Sequence, residues 1–315
     1  MADGHKDTTS VRAVKDRRRV LCDWGGSRLR AFLDLEGAVL DRRDGPGIKR
    51  LGTDSPAAVL ATELAEWRNE YRLEVFLCGM AGSRNGLAEV PYVRAPATME
   101  LWRQGRLRVR VEDLGASIAP GIRAENFRDA PDVMRGEETQ IFGALTLERR
   151  LASRSHLFVL PGTHSKWVLV QDGAVARLQT YLTGELFDLL CRYSSLLRVG
   201  DDPATDEGGF AAGLRAAARG GLVAGLFETR SAQLIEGRTA GWARAFLSGL
   251  LIGAEIGGML DEGAFGSESI TLIGEPELTV LYLRALAARH VSAQALDGER
   301  CVLAGLRVLA DADRT

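Results

Sequence analysis

Apolar positions in this chain fall into short runs whose period changes along the sequence. "VLCDWG" (20–25) is a compact apolar run, "LRAFLDLE" (29–36) alternates, and "AVLDRR" (38–43) resumes after Glu36-Gly37. Runs of this kind, broken at glycine, predict three successive strands over residues 20–44. The period then becomes helical. Ala57, Leu60, Ala61, Leu64 and Trp67 share a face, and Ser55-Pro56 offers an N-cap followed by proline at the favoured first position. A helix is predicted over 55–71, and "EVFLCGMAG" (74–82) reads as a buried strand ending in glycines. Further on, "VARLQTYL" (175–182) is a strand, and segments 184–198, 208–219, 222–235 and 240–262 carry helical patterns. Residues 269–290 read as strand, glycine turn and helix, with Pro276 near the first helical position. A strand "VSAQAL" (291–296) and a helix 299–311 close the chain. Strands alternating with helices after a meander predict an α/β protein with mixed sheets covered by helices, and a cleft between its halves.

One pattern occurs twice. "GSRLRAFLDLEGAVL" (26–40) aligns without a gap on "GTHSKWVLVQDGAVA" (162–176), an offset of 162 − 26 = 136. Gly26 meets Gly162, Ser27 meets Thr163, Arg30 meets Lys166, and Glu36-Gly37 meets Asp172-Gly173. Two matched turns and a matched base in one register predict two domains that begin alike, the second near residue 155.

Composition narrows the class. The 315 residues are 46% hydrophobic and 26% charged, enough for a substantial core and about two domains. A formal net charge of −2 provides no global field for nucleic acid or an anionic membrane. Four scattered cysteines without C-x-x-C predict free, buried thiols, and four histidines without H-x-x-x-H argue against structural zinc. The polar N-terminus lacks the apolar stretch of a signal peptide and is expected to be a disordered basic tail over 1–18. The longest apolar window, 246–260, is shorter than a membrane span and contains Glu255. These features predict a soluble, cytoplasmic protein with no nucleic-acid or membrane partner; a homodimer is left open.

Candidate chemistry clusters at the turns. Glycine lets backbone approach closely, and successive N–H groups can point at phosphate oxygens. Gly25, Gly26 and Ser27 in the first turn, with Gly162 and Thr163 in the second, therefore suit a triphosphate. Asp23, at the strand end before the first turn, is placed to hold magnesium directly or through water. No G-x-x-x-x-G-K-[ST] is present, which excludes a P-loop. Gly274-Glu275 stands where a strand gives way to a helix, which could be a nucleotide crevice or a simple strand–helix turn. In "MRGEETQ" (134–140) Glu137 or Glu138 could be a general base; either could equally complement the helix dipole. Arg135 could pair with a carboxylate or phosphate. His164 suits a phosphate contact or proton transfer, and Lys166 either a cationic contact or a solvated strand position. "CGMAGSRNG" (78–86), with Gly82 and Ser83, could floor a polyol site or be an ordinary loop.

The chain resembles the sugar kinase, heat-shock protein 70 and actin superfamily, and more narrowly the 2-dehydro-3-deoxygalactonokinase family. The matching segments are "DWGGSRLRA" (23–31), "GMAGSRNG" (79–86), "PY" (91–92), "VMRGEETQ" (133–140), "LPGTHSKWV" (160–168), "TGE" (183–185) and "FLSGLLIGAEI" (246–256). The resemblance implies two ribonuclease H-like domains with mixed sheets around an interdomain cleft. It divides the chain into an N-terminal actin-like domain (19–153) for sugar acid and phosphate, and a C-terminal one (154–315) for nucleotide. It implies ATP- and magnesium-dependent phosphorylation of 2-dehydro-3-deoxy-D-galactonate on its 6-hydroxyl, in galactonate catabolism. Asp23, Gly25, Gly26, Ser27, Gly162, Thr163, Gly274 and Glu275 would face ATP, with Asp23 at the magnesium. Gly82, Ser83, Arg135, Lys166, Trp167, Thr183 and Glu185 would lie towards the sugar acid. The base would be Glu137, Glu138 or His164, with Glu137 preferred. Two stretches depart from the family pattern, the first at Gly26 and Arg28 and the second at Leu87. Gly26, Ser27 and Arg28 replace two hydroxyl residues and an asparagine, and Leu87 stands where tryptophan is common. A sugar-acid sensor on a kinase scaffold, or an ATPase or phosphatase of the superfamily, are the competing readings.

Overall fold

The computed structural model describes residues 16–197, 206–263 and 269–311. A meander opens the chain: β1 (Arg17–Trp24), β2 (Arg28–Leu35) and β3 (Ala38–Pro46). β1 begins inside the expected tail because its arginines find partners. Arg17 meets Glu74 at 3.1 Å, Arg19 meets Asp311 at 2.8 Å, and Arg18 stacks on Tyr71. Residues 1–15 of that tail lie outside the described residues. In α1 (Pro56–Glu63) the Ser55 hydroxyl accepts the Ala58 N–H at 3.1 Å. The single helix expected over 55–71 breaks at Leu64, which leaves helical dihedrals with its side chain fully buried; α2 (Ala65–Glu70) continues.

β4 (Arg72–Gly79) stops three residues short of expectation. Gly79 takes φ +76°, and a Cβ there would lie 2.7 Å from the Trp24 carbonyl, so only glycine allows this approach. Between Gly82 and Met134 the sequence pattern assigns no element. The structure places β5 (Val93–Arg94), β6 (Ala97–Thr98), α3 (Met99–Gln104), β7 (Leu107–Val111), β8 (Leu114–Ile118), β9 (Ile122–Glu125) and β10 (Pro131–Met134) there.

The second half runs α4 (Glu137–Leu147), β11 (Ser155–Leu160), β12 (Ser165–Gln171), β13 (Ala174–Tyr181), α5 (Thr183–Tyr193), α6 (Glu207–Ala218), α7 (Leu222–Ile235) and α8 (Ala240–Asp261). It ends with β14 (Ser269–Gly274), α9 (Pro276–Ala287), β15 (Ala293–Asp297) and α10 (Gly298–Asp311). Two six-stranded mixed sheets result, ordered β3-β2-β1-β4-β8-β7 and β15-β14-β11-β12-β13-β6. In each, the first strand of a meander pairs antiparallel with the second and parallel with a later strand. α8 is longer than the apolar window read from the sequence, and by length and composition alone it could cross a membrane. Most of it is packed inside the protein, with Glu255 buried among protein donors.

The internal repeat is present in the backbone. Glu36 and Gly37 turn at φ +51° and +92°, and Asp172 and Gly173 at +48° and +77°. The register of β2 on β3 shifts between Leu33 and Asp34, and that of β12 on β13 between Leu169 and Val170, the same position 136 residues on. A matched turn is cheap to repeat; a matched bulge at the same offset shows that the two meanders share one design.

α4 and α10 lie between the sheets. α10 touches β1 and β4 of the first and β14 and β15 of the second. One apolar cluster joins Leu21, Phe32 and Phe76 to Phe142 of α4, Leu306 of α10, and Phe158 and Val168 of the second sheet. The outer face of each sheet has its own cluster, around Leu60 and Trp67 in the first half and around Ile256 and Tyr282 in the second.

Candidate active site

The two hairpin turns face each other across a cleft of about 550 Å³. The first turn is tied down by its own carbonyls. Gly25 N–H donates to Arg28 O at 2.9 Å, and Gly25 O and Gly26 O accept from Ile48 and Lys49. The second turn rests on α5: Glu185 N–H donates to Thr163 O at 2.9 Å, and Gly184 packs so closely on Gly162 that a Cβ would meet its carbonyl at 2.3 Å. Gly274 and Glu275, at the end of β14, complete the rim.

Of the residues singled out by sequence, Asp23, Gly25, Gly26, Ser27, Arg135, Glu137, Gly162, Thr163, His164, Lys166, Gly274 and Glu275 all line this cleft. Arg30, Lys49, Tyr92 and Gln140 line it as well, and the sequence reading gave them no role in the site. Arg30 was within reach of that reading, as the repeat partner of Lys166.

The charges are arranged in layers. Arg30 donates to Asp23 at 2.5 Å and to Glu275 at 3.3 Å, and Arg28 also donates to Glu275. Burial opposes the charge of Arg30, but Asp23, Glu275 and Glu299 together push its pKa further up. The other Asp23 oxygen has only the Cys78 thiol, at 3.8 Å. Arg135 lies over the Tyr92 ring at 4.3 Å and donates to Val90 O at 2.8 Å. Its Nε and Nη1 are shielded from solvent and bonded to nothing. Lys166 is fixed by Val133 O at 2.9 Å and the Thr180 hydroxyl at 2.7 Å. Glu137 accepts the Arg135 N–H at 3.0 Å; burial raises its pKa, with Lys166 pulling the other way. His164 and Glu185 share a 2.5 Å hydrogen bond.

Six predicted residues lie off the cleft. Glu138 is fully buried, with both oxygens turned back on Gly136 N–H at 2.9 and 2.8 Å. Trp167 points into the core and donates to Glu255 at 2.7 Å, and Thr183 donates to the same carboxylate. Ser83 donates to Met80 O at 2.7 Å, and Glu185 reaches the cleft only through His164. Gly82 makes room for Arg135: a Cβ there would lie 2.8 Å from Arg135 Nη1.

A second cavity of about 370 Å³ meets the cleft at Gly162. It is mainly apolar, walled by Phe187, Phe210, Leu251, Ile252, Leu281 and Tyr282, with Glu207, Arg244 and Arg284 among its polar groups.

The sequence profile of the family described as 2-keto-3-deoxy-galactonokinase matches residues 23–309. The chain belongs to this family. It is 38% identical over 297 residues to a Rhizobium meliloti (strain 1021) protein assigned as a 2-dehydro-3-deoxygalactonokinase, covering 92% of this chain and 95% of that one. It is 37% identical over 298 residues to the 2-dehydro-3-deoxygalactonokinase of Escherichia coli (strain K12), covering 94% and 98%. A solved structure of a Sinorhizobium meliloti protein assigned to the same activity superposes with a TM-score of 0.83 at 36% identity, over 94% of this chain and 99% of that one. The (R)-2-hydroxyglutaryl-CoA dehydratase component A of Acidaminococcus fermentans shares the fold alone, at TM-score 0.51 and 13% identity.

As a member of the 2-keto-3-deoxy-galactonokinase family the chain is a sugar-acid kinase, with an α/β, ribonuclease H-like fold of two mixed sheets. The cleft suits phosphoryl transfer. Arg30, Lys49, Arg135 and Lys166 concentrate positive charge in a chain of net charge −2. Among the described residues no cluster of three or more His, Cys, Asp or Glu could hold a metal. Magnesium does not need one, because it is commonly held by one carboxylate, phosphate oxygens and water. Asp23, with one oxygen on Arg30 and the other free of a strong donor, fits that donor set.

Proposed function

We propose that the chain transfers the γ-phosphoryl group of ATP to the 6-hydroxyl of 2-dehydro-3-deoxy-D-galactonate, within galactonate catabolism in the cytoplasm. The observation that carries this reading is Arg135. It is a guanidinium stacked on Tyr92 and held by Val90 O, with two donors unfilled, next to a carboxylate of raised pKa. A sugar-acid carboxylate would supply an acceptor to one of these charged donors. The hydroxyl to be phosphorylated then lies towards Glu137.

In this reading the nucleotide base enters the apolar cavity, and the phosphates pass Gly162 and Thr163 towards Gly25, Gly26 and Ser27. Residues 19–153 would supply the sugar-acid side and 154–315 the nucleotide side. Asp23 would hold a magnesium ion, which when bound would supply neutralisation of charge on the transferring phosphoryl group. Glu137 takes the proton from the attacking hydroxyl as the new phosphorus–oxygen bond forms and the bond to ADP breaks. Lys166, fixed by two acceptors, stabilises charge without reorganising. His164, oriented by Glu185, guards the second phosphate turn. Closure of the cleft excludes water and suppresses hydrolysis of ATP.

A coupled assay for ADP with a panel of 2-keto-3-deoxy sugar acids tests the proposal. ADP release that requires the sugar acid is expected. Sugar-acid binding without ADP release would replace the kinase by a sensor, and ADP release without any sugar acid would make it an ATPase. Asp23→Ala is expected to abolish turnover with circular dichroism unchanged; retained turnover would remove Asp23 from the metal site.

A further inference from the structure

Glu275 lines the cleft and Arg28 adjoins it, next to the cleft-lining Ser27; the two are 247 residues apart in sequence, yet their side chains are bonded. Arg28 opens β2 directly after the first phosphate turn, and Glu275 occupies the N-cap position of α9 beside Gly274. The side chains that cap a helix from this position are the short ones of Ser, Thr, Asp and Asn, so the longer one of Glu275 is free to reach elsewhere. Glu275 makes no capping bond. Its carboxylate reaches Arg28, and Arg30 at 3.3 Å. Arg30 lines the cleft, is only 8% exposed, and still has an Nε without a partner. The Glu275 carboxylate is therefore an anion seated on an arginine pair beside the first turn.

We propose that Glu275 is an internal stand-in for a nucleotide phosphate, and that Arg28 with Arg30 is the seat that the β- or γ-phosphate takes over when it displaces this carboxylate. This rests on the ATP reading above. The exchange is physically easy in one direction. The side chains of Arg28 and Glu275 are 54% and 58% exposed, and ion pairs so open to water are weak. A phosphate carries more charge and can accept from both guanidinium groups in forked pairs, so it wins the competition. Arg28 thereby supplies at the first turn a donor that the glycine at position 26 cannot. Release of Glu275 also detaches one wall of the cleft from the other, and the phosphate then bridges them instead.

The test measures binding of a non-hydrolysable ATP analogue with magnesium, and of AMP, by calorimetry. It uses the full chain, Glu275→Gln, Arg28→Gln and the double variant, with ATP KM and kcat measured alongside. Glu275→Gln is expected to bind the analogue roughly fivefold more tightly, and Arg28→Gln roughly tenfold more weakly. Glu275→Gln should bring a smaller gain in the Arg28→Gln background, where only Arg30 remains to be freed, and AMP, which lacks the displacing phosphates, should be indifferent to both changes. Analogue affinity in Glu275→Gln that is unchanged or weaker, or AMP affinity that moves in parallel, would overturn the proposal while leaving the kinase reading intact. If the unaltered chain binds no analogue at all, both fall together.

Discussion

At the first turn of α4 two consecutive carboxylates meet different surroundings. Glu137 faces the cleft in the field of Lys166, and Glu138 is wholly buried with its oxygens on the Gly136 N–H. The difference assigns them different work. Burial raises the pKa of Glu137, so as a base it loses function on the acid side at a higher pH than an ordinary carboxylate would. Glu137→Gln is expected to lower kcat by about 10²–10⁴-fold and to remove the acid limb of the pH–rate profile. A variant that keeps that limb would transfer the role to another group, His164 first. Glu138 carries a stability prediction instead. Burial, and then the charge of Glu137, pushes its carboxyl up to about 8 from 4.5. The folded chain therefore retains a proton that the unfolded chain has released. That contribution to stability is complete below the unfolded value and is lost as pH rises through about 8. Thermal unfolding midpoints should fall between pH 6 and pH 8.5 in the unaltered chain, and Glu138→Gln, which needs no proton, should flatten that fall.

Between elements, the closest contact near the site is the crossing of α4 and α10. A Cβ on Gly143 would lie 1.9 Å from Cys301 O, and one on Gly305 would lie 2.0 Å from Thr139 O. Backbone meets backbone there, so neither neighbour can give way as a flexible side chain would. Gly305→Ala must push the helices apart, at a cost of about 1–3 kcal/mol. Because Thr139 belongs to the turn that carries Glu137, kcat should fall with stability. Urea titration beside the coupled assay checks this, and a stable variant with lowered kcat would also show that the crossing positions the base. The sequence could not reveal such a contact, because it joins positions more than 150 residues apart. The two matched hairpins were legible for the opposite reason. Their determinants are local: Glu36-Gly37 and Asp172-Gly173 take the positive φ their turns need, and the strands between alternate. The strands from β5 to β10 have two to five residues each, too few for a period to show. Arg135 and Lys166 were readable as cations, but their fixation by Val90, Val133 and Thr180 was not. Nor could the sequence show that Trp167 and Thr183 bond the buried carboxylate of Glu255, which also takes the hydroxyls of Ser165 and Tyr282 at 2.7 Å.

Across the whole molecule, the matched hairpins suggest two domains, yet the packing binds the halves into one unit. β6, from the first half, pairs through Ala97 and Thr98 with β13 of the second sheet. Asp132 accepts from Thr180, and Lys166 donates to Val133 O. α10, the last helix, lies between the sheets, with Cys301, Val302, Leu306, Leu309 and Ala310 buried. The first half therefore meets part of its core only when the end of the chain arrives. Cooperative unfolding follows where such a cluster has no internal boundary. In urea the ligand-free chain is expected to lose helix signal and tryptophan fluorescence in one coincident transition, since Trp24 and Trp102 report on the first half and Trp167 on the second. A chain ending at Asp297, which lacks α10, should fail to fold in either half, because the faces of α4, β1 and β14 that it covers would be exposed together. Two separated transitions, or a folded first half in the truncated chain, would show instead that the repeat marks independent folding units.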